Sequence, residues 1–213
     1  MKLLKPFYAS MKIFQFYKFV ALSVMTAVLA VSNVNAAYDA FLKIEGPDVK
    51  GESQADGREN EIDILSFSWG VSNPSAQALH GGGSGGGKVT LSELTITKRT
   101  DKASPQLFRN AVLGQAHSGA EGHYPIRLVM VYTPADHGEP VEMFSIELND
   151  CQIAELRSTV VPAKRGSDDE PSETLSLSFE QIRMNASVRD GHGGYTGLTP
   201  ERAIEVDNPA LED

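Results

Sequence analysis

Residues 61–71, Glu-Ile-Asp-Ile-Leu-Ser-Phe-Ser-Trp-Gly-Val, come after a turn-rich acidic stretch and alternate large apolar with small side chains. Successive side chains point to opposite faces of a strand. Phe67, Trp69 and Val71 are therefore expected on one face, inside a core, with Ser66, Ser68 and Gly70 on the other, against something wet. The only Trp of the chain stands in the middle of the set expected to be buried. The wet face of small residues is the first place to look for function.

The same period recurs along the chain. Residues 38–45 read as a strand, and 46–60, with three Gly, one Pro and six charged residues, as a long loop of the kind used for binding or assembly. The glycine run at 81–87 is too flexible to pack. Residues 88–98 are extended, but Val89 and Leu91 differ in parity from Leu94 and Ile96, which suggests a bulge or strong coil. Ser104-Pro105 opens the one convincing helix, with Ser as cap, Pro at the first position and Gly114 as the stop. Its stripe of Leu107, Phe108, Ala111 and Val112 is expected to pack on the core. Residues 125–132 and 141–148 read as paired strands, 150–161 as another, 162–171 as a polar loop, and 174–184 as a cleanly alternating strand. Short strands with turn signals and one interposed helix favour a mainly β chain, a β-barrel or sandwich of packed antiparallel sheets carrying a side helix.

The chain divides into three. Residues 1–36 carry Lys2, Lys5, Lys12 and Lys18, no acid, a 13-residue apolar run at 19–31 and small residues at Val34-Asn35-Ala36. They read as a signal peptide, since that run is short of the ~20 residues a spanning helix needs; a retained anchor or a start codon set too far upstream are the other readings. Residues 37–188 form the domain, and 189–213, Gly-rich and then acidic, are expected to be a flexible tail. Without the first segment, 15 basic face 28 acidic groups, a formal charge of −13. That balance disfavours nucleic acid and anionic membrane surfaces, both of which need clustered Lys or Arg.

Candidate chemistries fall one by one. Residues 82–88 have the spacing of a phosphate-binding loop, but Val89 stands where a Ser or Thr should meet magnesium, and residues 89–96 alternate like a strand where a helix is required. His80, His117, His123, His137 and His192 lie in turn-rich segments without ligand spacing, so no metal is expected. Cys151, the single cysteine, is expected as a small buried hydrophobe; a Cys–His nucleophile pair would need a proximity that sequence does not display. No Gly-x-Ser-x-Gly elbow sits on a strand-to-helix turn. No catalytic residue and no cofactor are assigned.

Several motifs occur in a telling order: Tyr38-Asp39-Ala40-Phe41-Leu42-Lys43-Ile44, Gly51-Glu52-Ser53, the stretch 61–70, the glycine run ending at Lys88-Val89, Leu94-Thr95-Ile96-Thr97-Lys98, and Asp101-Lys102-Ala103-Ser104-Pro105. Together with the strand at 173–182, they resemble the haemolysin-coregulated protein (Hcp) family, the tail-tube subunit of type VI secretion, over residues 38–184. The resemblance implies a small β-barrel of two packed antiparallel sheets with one side helix, closing as a homo-hexameric ring. Such rings stack into a hollow tube that is assembled in the cytoplasm and expelled. It implies sheath and spike components and cargo effectors as partners, no stable membrane insertion and no catalysis. Ser66 and Ser68 match the family's lumen-facing positions. The loop carrying Gly51, Glu52, Ser53, Asp56, Arg58 and Glu59 matches its ring-stacking segment, where Glu52, Asp56, Arg58 and Glu59 would make inter-ring polar contacts. Solvent-facing serines and an ordinary surface loop are the plainer readings of the same residues. Two departures stand out: Ala36, preceded by the export-like segment, occupies the family's usual starting Met, and Ala163-Lys164-Arg165-Gly166 replaces a Gly/Ser-rich loop. A cleaved signal would favour the alternative of an exported periplasmic or extracellular binding module that kept the fold without the tube.

Overall fold

A computed structural model of the chain describes residues 37–45, 49–74, 88–120, 122–135, 138–159, 170–191, 194–200 and 203–208. The export-like segment 1–36, the glycine run 81–87, residues 163–166, and His80, His137 and His192 lie outside these. In chain order the elements are β1 (Ala37–Ile44), β2 (Ile62–Ser68), β3 (Val71–Ser72), β4 (Thr90–Leu91), β5 (Leu94–Arg99), α1 (Ser104–Leu113), β6 (Ile126–Thr133), β7 (Val141–Thr159), β8 (Ser172–Ala186) and β9 (Ile204–Asp207).

Six strands run in the order β5-β2-β1-β6-β7-β8, every pairing antiparallel, and β5 returns to pair with β8. The sheet thereby closes into a barrel, with the part of β8 beyond Leu177 left outside the closing pair. Each strand sends an i, i+2 pair inward: Leu42 and Ile44, Ile62 and Ile64, Leu94 and Ile96, Ile126 and Leu128, Ile146 and Leu148, Leu175 and Leu177. Each such side chain, fully buried, contributes about 1.5–3 kcal/mol. No helix among the described residues is long and apolar enough to cross a membrane.

The central strand departs from the expected phase. The β2–β5 register slips between Ile64 and Ser66, leaving Leu65 as an extra, half-exposed residue. Even-numbered Ile62 and Ile64 point inward before that bulge, and odd-numbered Phe67 after it. The expected core face ends there: Trp69 is 40% exposed and Val71 67%. Trp69 instead stacks on Phe67 and Phe144, with ring centroids 5.8 and 5.4 Å apart, as a plate over one rim of the barrel. The parity change between Leu91 and Leu94 is not a bulge within one strand. It marks a change of partner, since β4 pairs with β3 and β5 with β2.

Helix α1 packs against β7. Its buried residues are Ser104, Leu107 and Asn110, with Ala111 against the core, while Phe108 and Val112 of the expected stripe face outward. Ser104 is the first helical residue rather than the cap. The free N–H of Ala103 is taken by Asp101 Oδ1 at 3.0 Å, which releases the Ser104 hydroxyl for other work. Gly114 ends the helix at φ 58°, a left-handed conformation a side chain resists.

Two strands expected at 141–148 and 150–161 are one. β7 runs nineteen residues and passes through Asp150, at φ 47°, with the register on β8 the same at Asn149 and Cys151 on either side of it. The tail also differs from expectation: residues 204–207 form β9 on β8. Backbone hydrogen bonds to an open strand edge supply what its few apolar side chains do not.

Candidate functional site

Strands β2, β5 and β8 lie side by side, and two rows of hydroxyls cross them on alternate positions. Ser66 pairs with Thr97 and Thr97 with Thr174; Ser68 pairs with Thr95 and Thr95 with Ser176. The two rows end on β7 at Arg157, opposite Thr174, and Glu155, opposite Ser176. Thr95 Oγ1 and Ser176 Oγ stand 3.4 Å apart, and Arg157 donates to Glu155 at 2.5 Å. Ser66 and Ser68 are exposed. A hydroxyl donates and accepts with equal ease, so this face offers hydrogen bonds to many partners without a net charge or an apolar grip. Sequence reading found Ser66 and Ser68 but not Thr95, Thr97, Thr174 and Ser176. Their signal was present in the alternation of β5 and β8 and needed only the pairing register.

The loop expected to stack rings is a folded hairpin. Gly51 N–H donates to Asn60 O at 2.7 Å and Ser53 N–H to Glu61 O at 3.1 Å. A Cβ on Gly51 would lie 2.1 Å from Glu61 O, so only glycine lets the two segments close. Ser53 is 2% exposed, its Oγ accepting from Ala55 N–H at 3.3 Å, and serves the loop rather than a partner. Glu52 is exposed, yet its Oε1 accepts from Lys102 N–H at 3.0 Å, pinning the loop to the start of the helix. Arg58 turns inward to Glu142 and, at 3.4 Å, to Glu61. Asp56 and Glu59 face solvent. Of the four charged residues assigned to inter-ring contact, Asp56 and Glu59 are the ones the loop presents without a bond to another element, and Arg58 is committed to its own barrel.

Arg58 is the end of a charged ladder. Arg127 Nη2 lies 2.6 Å from Glu142 Oε2 and its Nε 3.1 Å from Glu147 Oε1, with Arg183 3.6 Å beyond. Burial alone would raise the Glu142 carboxyl, but Arg127 and Arg58 outweigh it and hold it below the usual range.

A second cluster escaped sequence reading. Lys98 is wholly buried, its Nζ 2.7 Å from Asp101 Oδ1, 3.1 Å from Glu173 Oε2 and 2.6 Å from Arg99 O. Ser104 Oγ donates to Glu173 Oε2 at 2.7 Å and Ser158 Oγ to Oε1 at 3.1 Å. Burial pushes the Glu173 carboxyl up, but Ser104 and Lys98 more than offset it, leaving it low. The helix start is thereby bolted to β5 and β8.

His117 and Cys151 prove to be neighbours, exchanging backbone hydrogen bonds at 2.8 and 3.0 Å. The pair is not built as a nucleophile. Cys151 is fully buried, burial pushes its thiol pKa far up, and only thiolates attack. His123, the other described histidine, sits on the surface 3.0 Å from Glu45. Among the described residues no group of three or more His, Cys, Asp or Glu is arranged to hold a metal.

Comparison with known proteins gives this architecture a family. The model of the family described as type VI secretion system effector, Hcp, matches residues 41–185. Protein hcp1 of Pseudomonas aeruginosa is 32% identical over 161 residues, covering 76% of this chain and 90% of its own. The crystal structure of Hcp1 from Salmonella typhimurium superposes with a TM-score of 0.56 at 26% identity, covering 82% of this chain and 97% of that one. The structure of a type six secretion system protein shares the fold, with a TM-score of 0.63, 23% identity, and coverage of 80% of this chain and 96% of that one. The chain belongs to the Hcp family of type VI secretion proteins and is a subunit of the secretion tube.

Proposed function

We infer that six copies of this chain close edge to edge into a ring with the hydroxyl face of β2, β5 and β8 lining the bore, and that rings stack through the 51–59 hairpin. The observation that carries this reading is the pair of hydroxyl rows, Ser66–Thr97–Thr174 and Ser68–Thr95–Ser176, on one outward face of a closed barrel. A wall of this kind lets cargo hydrogen-bond and slide, because hydroxyls donate and accept without an apolar grip. On this reading Asp56 and Glu59 reach the next ring, with Glu52 held back by Lys102 and Arg58 by Glu142. Exposed ion pairs contribute only about 0–1 kcal/mol each, so stacking needs all six copies acting together.

The sheath and spike of the secretion machine are the partners of the outer wall and the tube end, and effector proteins those of the bore. The protein acts as scaffold and carrier and is expelled with the tube. Residues 37–188 are the working domain; cleavage of the export-like segment 1–36 as a leader belongs to the other reading, an exported binding module that kept the fold without the tube. Light scattering of the purified chain tests the ring: a mass near six subunits supports it, and a strict monomer at high concentration overturns it. N-terminal sequencing tests the leader, and a chain still starting at Met1 or Met25 overturns it.

A further inference from the structure

Strand β8 is fifteen residues long, but β5 covers its free edge only from Ser172 to Leu177. Beyond that point the edge would show unpaired N–H and C=O groups, a ready template for another strand. β9 fills it, pairing Gln181, Ile182, Arg183 and Met184 with Asp207, Val206, Glu205 and Ile204. The family match covers residues 41–185, and this strand lies beyond it.

What holds β9 is not particular to its own chain. Gln181 Nε2 donates to Asp207 Oδ1 at 3.0 Å, Asn208 N–H to Glu180 O at 2.6 Å, and Asn208 Nδ2 to Phe179 O at 3.0 Å. Any copy of the segment offers the same groups to any copy of β8. Burial adds little, since Ile204 stays 62% and Val206 41% exposed. Upstream, Thr196 N–H donates to Val188 O and Asn185 Nδ2 to Thr199 O at 2.7 Å, which anchors the connector to its own barrel. From there four residues, 200–203, lead to β9, and extended they reach about 13 Å at ~3.3 Å per residue. That spans between two and three strands at ~4.8 Å spacing.

We propose that the β8 edge from Gln181 to Met184 is a strand-docking site whose second occupant is β9 of a neighbouring copy, so that assembled subunits exchange their C-terminal strands. The exchange requires neighbours at close quarters and so rests on the ring reading above. Within a ring, the two competing edges present β9 with local concentrations of the same order, millimolar for a short tether. The exchange turns a contact between closed barrels into a linked one at no cost in hydrogen bonds.

The test mixes two full-length single variants, Gln181→Cys and Asp207→Cys, assembles them together, and oxidises them. Cys151 is buried and stays out of the reaction. A disulfide-linked pair at twice the chain mass is expected in this mixture. It is lost when Glu180→Cys, on the opposite face of β8, replaces Gln181→Cys. The double variant Q181C/D207C closes within one chain when dilute and between chains when assembled. Rings seen by negative stain with within-chain closure alone overturn strand exchange and leave the ring standing. A sample without rings overturns both.

Discussion

Lys98 Nζ and Glu173 Oε2 meet 3.1 Å apart with essentially no access to solvent, and both bond to residues that begin the only helix among the described residues. A charged pair in a barrel wall is costly to desolvate unless every remaining donor and acceptor is used. Here Asp101, Ser104, Ser158 and the Arg99 carbonyl use them. The network gives up barrel interior to fix where the helix sits.

Lys98→Met is therefore expected to destabilise by about 3–5 kcal/mol, because it strands Glu173 as an uncompensated buried charge. The double variant K98M/E173L should recover a large part of that loss. Denaturant unfolding of the two variants checks the order; a single variant no worse than the double contradicts it.

Acid should loosen the same joint. The Glu173 carboxyl titrates below its ordinary value in the fold, so its contribution is complete above the unfolded value near 4.5 and is lost as pH falls through the lower folded one. Glu142, held low by Arg127 and Arg58 against its burial, acts in the same direction. Unfolding free energy is expected to be flat near neutrality and to drop below about pH 4.5, with Glu173→Gln showing a shallower fall. An equal slope in that variant assigns the acid response elsewhere.

Gly51→Ala should open the 51–59 hairpin, since its Cβ would sit 2.1 Å from Glu61 O. Overpacking of this kind costs about 1–3 kcal/mol. Rings should persist and stacking should fail, read by the length of tubes in micrographs. Tubes of normal length would remove the hairpin from the stacking contact.

The Cys151 thiol should stay silent toward a maleimide until the chain unfolds, as a fully buried thiol pushed up by its surroundings must. Mass spectrometry before and after denaturation measures it. Modification of the native protein would contradict the buried assignment.

Alternation alone made most of the barrel legible, because Leu42 and Ile44, Leu94 and Ile96, or Leu175 and Leu177 carry the strand period without interruption. It failed where a single residue shifts the phase. Leu65 as a bulge sends Trp69 to a rim and Val71 to solvent, and nothing in the local pattern marks it apart from its neighbours. A break was expected at residue 149, between two strands, yet one strand runs through it and through Asp150 at φ 47°. Long-range pairing decides the rest. The buried partners of Lys98, the backbone exchange of His117 with Cys151 and the docking of Ile204–Asp207 join residues far apart in sequence. The site obeyed the same rule, with Ser66 and Ser68 readable from one strand while the four flanking hydroxyls waited on the register.

Electron cryomicroscopy of the purified, assembled chain puts the account to its hardest trial. A six-subunit annulus is expected, with Ser66, Ser68, Thr95 and Ser176 turned toward the empty centre and helix α1 away from it. Isolated barrels, or an annulus whose hydroxyl rows face outward, would contradict it.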